Sequence, residues 1–513
     1  MLNTQKDPLF TLVKSLTKAE KRSFKLYANR HQGVASNKFV QLFDVLDRLP
    51  EYDETVVIKK MSDTEKRHLP NLKRHLYKQI LTSLRLIYID KNIDIQIREQ
   101  LDFARILYGK AMYMQSLKIL ERIKKIADEH HQDILHLEIL EFQKLIEARH
   151  ITRSRSIENK MEKLLDESVK RSSITLTSNR LSNLNIQIHG WYIQFGHIQA
   201  EEDASKVNAF FQLQSPEEDF SLQPTFFEKA HLYQAHFWRC YILVDFTSCV
   251  QYARQWVNLF LINPKMRYKD PDLYMRALYY LLTSLYITNK KEAFRHYLAE
   301  LEDFQESQLK QLNDNSKMIG FTYHQLSQLN FLLLSKQYEQ VIALEPTLQK
   351  QLDKYASYMD VHRILLFYYK FACAHFACGR FNEALDHLNI IINDKSAHLR
   401  EDLFINARVL QILCLFELKQ YDLIDYLQVS LRRAIRKSKE QSNLQPALIQ
   451  GVRELIKTPS IERQQAFQEL AEILLPLSRN KYEHKANFFL SPMLWVESKL
   501  QGCYVFQLNG IKV

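Results

Sequence analysis

The chain has 513 residues, more than one ordinary globular core holds, so several domains or a stacked repeat array are expected. Nine glycines and twelve prolines are few for this length and argue against an α/β enzyme, whose turns and ligand loops need glycine. An apolar content of 46% excludes a disordered chain, and of the formal net charge of +11 residues 1–90 carry +7, with 17 Lys and Arg against 10 Asp and Glu.

The start, MLNTQKDPLFTLVKSL, sets an acid and a proline before a short apolar patch, unlike a secretory signal. The longest uncharged apolar segment, Ala277 to Asn289, is shorter than the ~20 residues that span a bilayer. Cys240, Cys249, Cys373, Cys378, Cys414 and Cys503 are scattered inside helical patterns, without the spacing of a disulfide framework or a zinc site. The expectation is a soluble cytoplasmic protein with no membrane association, no cofactor and no metal.

Residues 1 to about 97 read as a basic helical cap domain with helices at Pro8–Leu16, Lys18–Asn29, Asn37–Leu49 and Pro70–Ile89. Thr17, three residues before Glu20, forms a capping box, because hydroxyl and carboxylate can each take the other's free amide. Tyr52–Met61 is ambiguous. In the helix from Pro70, Leu72, Leu76, Ile80, Leu84 and Ile87 follow helical spacing on one side, which predicts docking on the cap domain. Lys73, Arg74, Lys78 and Arg85 point elsewhere and form a basic face, either solvated or in contact with phosphates.

The stretch Val361 to Asp394 contains a whole helical hairpin. Ile364, Leu365, Tyr368, Phe371, Ala372, His375 and Phe376 recur at three- and four-residue steps, Gly379 can end the helix in the left-handed conformation, and Asn382 can cap the next. Ala384, Leu385, Leu388, Ile391 and Ile392 then form a second stripe, with Ala372 and Ala384 placed for close helix contact. The position of Ala384 recurs at Ser116, Ile157, Ala204, Cys249, Ala293, Val341 and Ile424, at intervals of 40 to 48 residues. Ser172–Ser182 and Gln212–Pro224 read as polar loops. The segments after Lys439, ending in LSPMLWVESKLQG with Trp495, read as a C-terminal cap.

The hairpin resembles the tetratricopeptide repeat, which asks for an aromatic, a small residue, Gly, an aromatic, Ala and a large apolar residue at these offsets; His375 stands where that family prefers tyrosine. The intervals exceed the ~34 residues of a tetratricopeptide unit, so the helices are expected to be longer. The ends LTKAEKRSFKLY and LSPMLWVESKL are similar to those of bacterial helical-repeat proteins. The resemblance implies an all-α fold: an α-solenoid of about eight expanded hairpins over residues 98–440, between caps at 1–97 and 441–513.

Catalytic patterns are absent from the sequence. No GxGxxG, HExxH, GxSxG or CxxC occurs, and Gly109-Lys110 lacks the upstream glycine of a phosphate loop. Glu65/His68 and Glu147/His150 are spaced as on any exposed helix, and Cys373, His375 and Cys378 alternate around one helix rather than sharing a face. A stacked array exposes the first helix of each pair along a groove. Offsets of three before, one after and four after the buried Ala372 select Tyr369, Cys373 and Phe376. The same offsets elsewhere select Gln234, Trp238, Tyr241 and Asn330, with Tyr323 and Asn406 one turn earlier. Asn and Gln there can bind the backbone of an extended peptide, and the aromatics its side chains.

The expected function is a non-catalytic scaffold or adaptor that holds a protein or peptide partner in this groove. The alternative is a nucleic-acid-linked regulator, in which the basic N-terminal helices contact phosphates. That layout is similar to peptide-sensing bacterial transcription regulators that join a helix-turn-helix domain to tetratricopeptide-like repeats, although Arg30–Ser36 is longer than their three- or four-residue turn.

Overall fold

The computed structural model describes residues 7–30, 34–61, 66–150, 160–215, 225–356, 358–394, 401–438, 442–483 and 490–508. Glu65, Ile157 and residues 31–33 and 216–224 lie outside the described residues; residues 34–36 and 212–214, expected as parts of the loops Arg30–Ser36 and Gln212–Pro224, are helical. Among the described residues the chain is all-α, without a strand, and no helix is long and apolar enough to cross a membrane. Two compact units form, residues 1–175 and 176–513.

The first unit opens with α1 (Pro8–Ser15), α2 (Lys18–Asn29), α3 (Val34–Arg48), α4 (Glu54–Lys60) and α5 (Leu69–Tyr88). They close over a core that includes Phe24, Phe43, Leu46, Val57, Leu76 and Ile80. The capping box forms: the Thr17 amide donates to Glu20 Oε2 at 2.7 Å, and the Glu20 amide to Thr17 Oγ1 at 3.3 Å. The ambiguous stretch holds α4, because Asp53 Oδ1 accepts from the Thr55 amide at 2.8 Å and starts a helix there. A second core, with Ile97, Leu101, Leu120, Ile123 and Ile139, joins α6 (Ile93–Gly109), α7 (Tyr113–Glu129) and α8 (Asp133–His150).

Helix α9 (Lys160–Phe195) runs for 36 residues, so Ser172–Ser182 is helix rather than the expected polar loop. Ile174, Leu181, Leu184 and Ile188 are buried along it. That stripe, though sparse, keeps helical spacing, and packing outweighs the polar residues between.

The second unit continues with α10 (Glu202–Gln214), α11 (Phe226–Ile242), α12 (Phe246–Ile262), α13 (Met266–Lys269), α14 (Pro271–Ile287) and α15 (Lys291–Gln308). Then come α16 (Asp314–Leu334), α17 (Tyr338–Tyr355), α18 (Val361–Ala377), α19 (Phe381–Ile392), α20 (Glu401–Glu417) and α21 (Tyr421–Lys437). The last are α22 (Leu444–Lys457), α23 (Arg463–Ser478) and α24 (Pro492–Leu500).

One turn recurs between paired helices. Val244, Asn289, Lys336, Gly379 and Lys419 all have positive φ, from 53° to 76°. The amide after each reaches back five residues: Asp245 to the Cys240 carbonyl, Lys290 to Leu285, Gln337 to Leu332, Arg380 to His375 and Gln420 to Leu415, at 2.8–2.9 Å. This is the Schellman closure of a helix C-terminus, and only Gly379 supplies the residue that adopts it without strain. Five residues after each turn stand Cys249, Phe294, Val341, Ala384 and Ile424, all fully buried. Ala111 makes the same turn in the first unit and places Ser116. The register position expected at Ala293 is therefore Phe294, one residue later, and Ala204 follows no such turn. Asn382 does not cap α19: the turn hands the chain straight into the helix, whose N-cap is Arg380 with no side-chain cap.

Each hairpin buries its stripe against the next. Helix α12 packs on α14, α15 on α16, α17 on α18 and α19 on α20; first helices also touch, α14 with α16, α16 with α18, α18 with α20 and α20 with α22. Trp495 of α24 is buried, and its indole N–H donates to Glu417 Oε1 at 2.7 Å. Not every contact joins neighbours, since Lys481 and the Tyr482 hydroxyl both meet Glu201 Oε2, at 2.8 and 3.0 Å.

Candidate functional site

On α11, Gln234, Trp238 and Tyr241 lie four and three residues apart and so share a face. The Trp238 ring stacks on His189 of α9 at 4.1 Å and meets Tyr280 of α14 edge-on at 5.5 Å. Beside Tyr280, Tyr279 stacks on Tyr323 of α16 at 4.4 Å. The Arg363 guanidinium of α18 lies 5.0 Å from the Tyr279 ring and 5.8 Å from Tyr323, and its Nη1 donates to the Tyr279 hydroxyl at 2.7 Å. An unbroken run of rings thus crosses α9, α11, α14 and α16 and ends on a cation of α18. Trp238, Tyr280 and Tyr323 are half-buried, and Arg276, one turn before Tyr280, is exposed.

Two arginines act on this face. Burial lowers the pKa of His189, and Arg276 and Arg363 push it the same way. Burial raises the Tyr280 phenol to about 12, so it stays a neutral donor. Arg276 also feels Asp270, but that carboxylate caps α14 through the Leu273 amide at 3.0 Å. Arginine over aromatic faces and an exposed second arginine suit a ligand that brings an anion beside apolar groups.

Of the residues selected from sequence, Trp238, Tyr241 and Tyr323 are half-buried and join this face. Gln234 lies beneath it, donating to the Ala230 carbonyl at 3.1 Å and accepting from Asn185 at 3.4 Å. The others are not brought there. Tyr369, Phe376 and Cys373 are buried, Asn330 Oδ1 accepts from Lys370 Nζ, and Asn406 Oδ1 accepts from Gln445 Nε2 at 2.8 Å. Helix α20 packs on α18 and α22 on α20, and the positions expected to line a groove there are core. Burial also lowers the Lys370 pKa to about 7.

The chain matches no protein-family model, no curated protein and no solved structure. Its own side chains carry the functional reading.

Sequence reasoning missed His189, Arg276, Tyr279, Tyr280 and Arg363. One signal was present: with the register at Phe294 rather than Ala293, the offset that selects Gln234 and Tyr369 selects Tyr279. The arginines carry no such mark.

The expected basic face of α5 divides. Lys73 Nζ pairs with Asp7 Oδ2 at 2.8 Å, also meets the Tyr52 hydroxyl, and lies 3.9 Å from Glu54. It ties α5 to the start of α1 and so is engaged internally. Arg85 lies 3.8 Å from Asp102, whereas Arg74 and Lys78 are exposed. Leu76 and Ile80 are buried, and Leu72 and Leu84 pack partly against the same core, as their spacing predicts.

Proposed function

We propose that the chain is a non-catalytic binding protein with a tetratricopeptide-like helical array, which holds an extended peptide or a partner's segment against the face of Trp238, Tyr280, Tyr323, Arg276 and Arg363. The observation that carries this reading is the ring run from His189 to Arg363, with rings partly open to solvent and two arginines at its edge. Aromatic and arginine side chains are the commonest anchors of protein interfaces, because they bury much area with little rotamer entropy. The arginines favour a peptide with a carboxylate, from an acidic side chain or a free C-terminus, next to an apolar or aromatic residue. The repeating Schellman turns and first-helix contacts support the array.

Peptide-display selection on the intact chain tests this. Acidic-aromatic peptides should be enriched, and Arg276→Gln should weaken the selected peptides by about 10-fold, the value of one charge-assisted contact. Selection of no peptide, or of peptides indifferent to Arg276→Gln and to salt, would sink the proposal.

A further inference from the structure

Three helices that follow one another in the chain bring their only convergent metal-type donors to one point. Glu345 lies on α17, His375 on α18 and His387 on α19. Glu345 Oε2 is 2.8 Å from His375 Nε2, and Oε1 is 3.0 Å from His387 Nε2. One donor atom from each of the three lies within 4.8 Å of the others, and among the described residues this is the one such group of three. Both histidine side chains are more than nine-tenths buried, at 8% and 9% exposure, while the Glu345 side chain keeps 13%.

Each oxygen of the Glu345 carboxylate faces one of the two imidazoles, and Gln349 Nε2 also donates to Oε1, at 2.8 Å. That bond fixes the carboxylate as outer partners of metal ligands do. Both His375 and His387 leave Nδ1 buried without a hydrogen-bond partner.

We propose that Glu345, His375 and His387 form a binding site for a divalent transition ion of the zinc type, which clips α17, α18 and α19 together. Two imidazoles and a carboxylate are a zinc donor set, and hard calcium or magnesium would want oxygen instead. Bonds of ~2.0 Å in a tetrahedron set donors ~3.3 Å apart; the present 2.8 and 3.0 Å contacts run to different oxygens of Glu345, so the carboxylate must turn one oxygen toward both imidazoles, and one donor atom from each of the three already lies within 4.8 Å of the others. Water takes the fourth position from the solvent side of Glu345. To ligate, each imidazole presents the Nε2 lone pair and carries its proton on Nδ1, where no protein acceptor waits. A missing outer partner typically lowers metal affinity ~10–100-fold, so micromolar binding is expected rather than the tighter binding of a fully supported site.

The test uses the full chain, freed of metal by chelator, titrated with zinc by calorimetry and with cobalt(II) by visible absorption. One ion per chain should bind, cobalt should give the d–d bands of a tetrahedral nitrogen–oxygen site without thiolate charge transfer, and zinc should raise the thermal midpoint. His387→Gln and Glu345→Gln should each weaken binding by at least ~10-fold. Each variant's circular dichroism and melting without metal show that it is folded, and His375→Gln replaces any that is not. No stoichiometric binding, thiolate bands, or unchanged affinity in folded variants would overturn the site and leave a buried histidine–carboxylate network.

Discussion

Two stretches of the second unit use the same hairpin register with opposite results. In α11, α14 and α16 the first-helix positions carry Trp238, Tyr279, Tyr280 and Tyr323, in ring contact in series and mostly half-buried. In α18 and α20 the corresponding side holds Tyr369, Phe376, Lys370 and Asn406, all buried. A repeat offset fixes the direction of a side chain on its helix, and the neighbouring helix decides whether that direction meets water.

The largest expected break in this comparison is Tyr369→Ala. Truncating a buried aromatic leaves a cavity and should cost about 3 kcal/mol or more, read as a lower denaturant midpoint. A loss under ~0.5 kcal/mol would put Tyr369 on an open surface, as sequence offsets alone suggest.

Asn330→Ala removes an acceptor of the buried Lys370 amino group and should cost about 1–3 kcal/mol. Lys370 adds a pH signature. Its folded pKa of about 7 lies below the ordinary 10.5, so between those values the unfolded chain binds more protons and stability rises with pH. Lys370→Met should remove that part of the slope; melting curves of both proteins at pH 7 and pH 10 measure it, and an unchanged difference would show that the lysine is not held low.

The turns sharpen the comparison at smaller scale. An added Cβ at Gly379 would sit 2.5 Å from the Tyr504 ring, with φ at +76°, so Gly379→Ala should cost at least ~1–2 kcal/mol. The exposed Lys419 adopts φ +59° without glycine, and Lys419→Gly should gain up to ~1 kcal/mol. Thermal midpoints moving in the same direction would contradict the shared turn.

The smallest stability effect belongs to the open face: exposed Arg276→Gln should change folding by less than ~0.5 kcal/mol, measured by urea denaturation. A larger loss would make it structural and remove it from the binding face.

What the sequence determined by itself is local. The helical stripes, the Thr17 box, the left-handed Gly379 and the buried positions Ser116, Cys249, Val341, Ala384 and Ile424 follow from 3.6-residue periodicity and from turn chemistry within a few residues. It misled where local polarity outweighed a sparse stripe, as at Ser172–Ser182, and at Asn382, whose capping chemistry the Schellman turn makes unnecessary. Tertiary structure alone decided which first-helix faces α20 and α22 cover and that Lys73 meets Asp7, 66 residues earlier in the chain. It also joined His375 and His387 to Glu345, 30 and 42 residues earlier. Such meetings depend on how whole helices stack, and no periodicity within one helix encodes the distance to a residue on another.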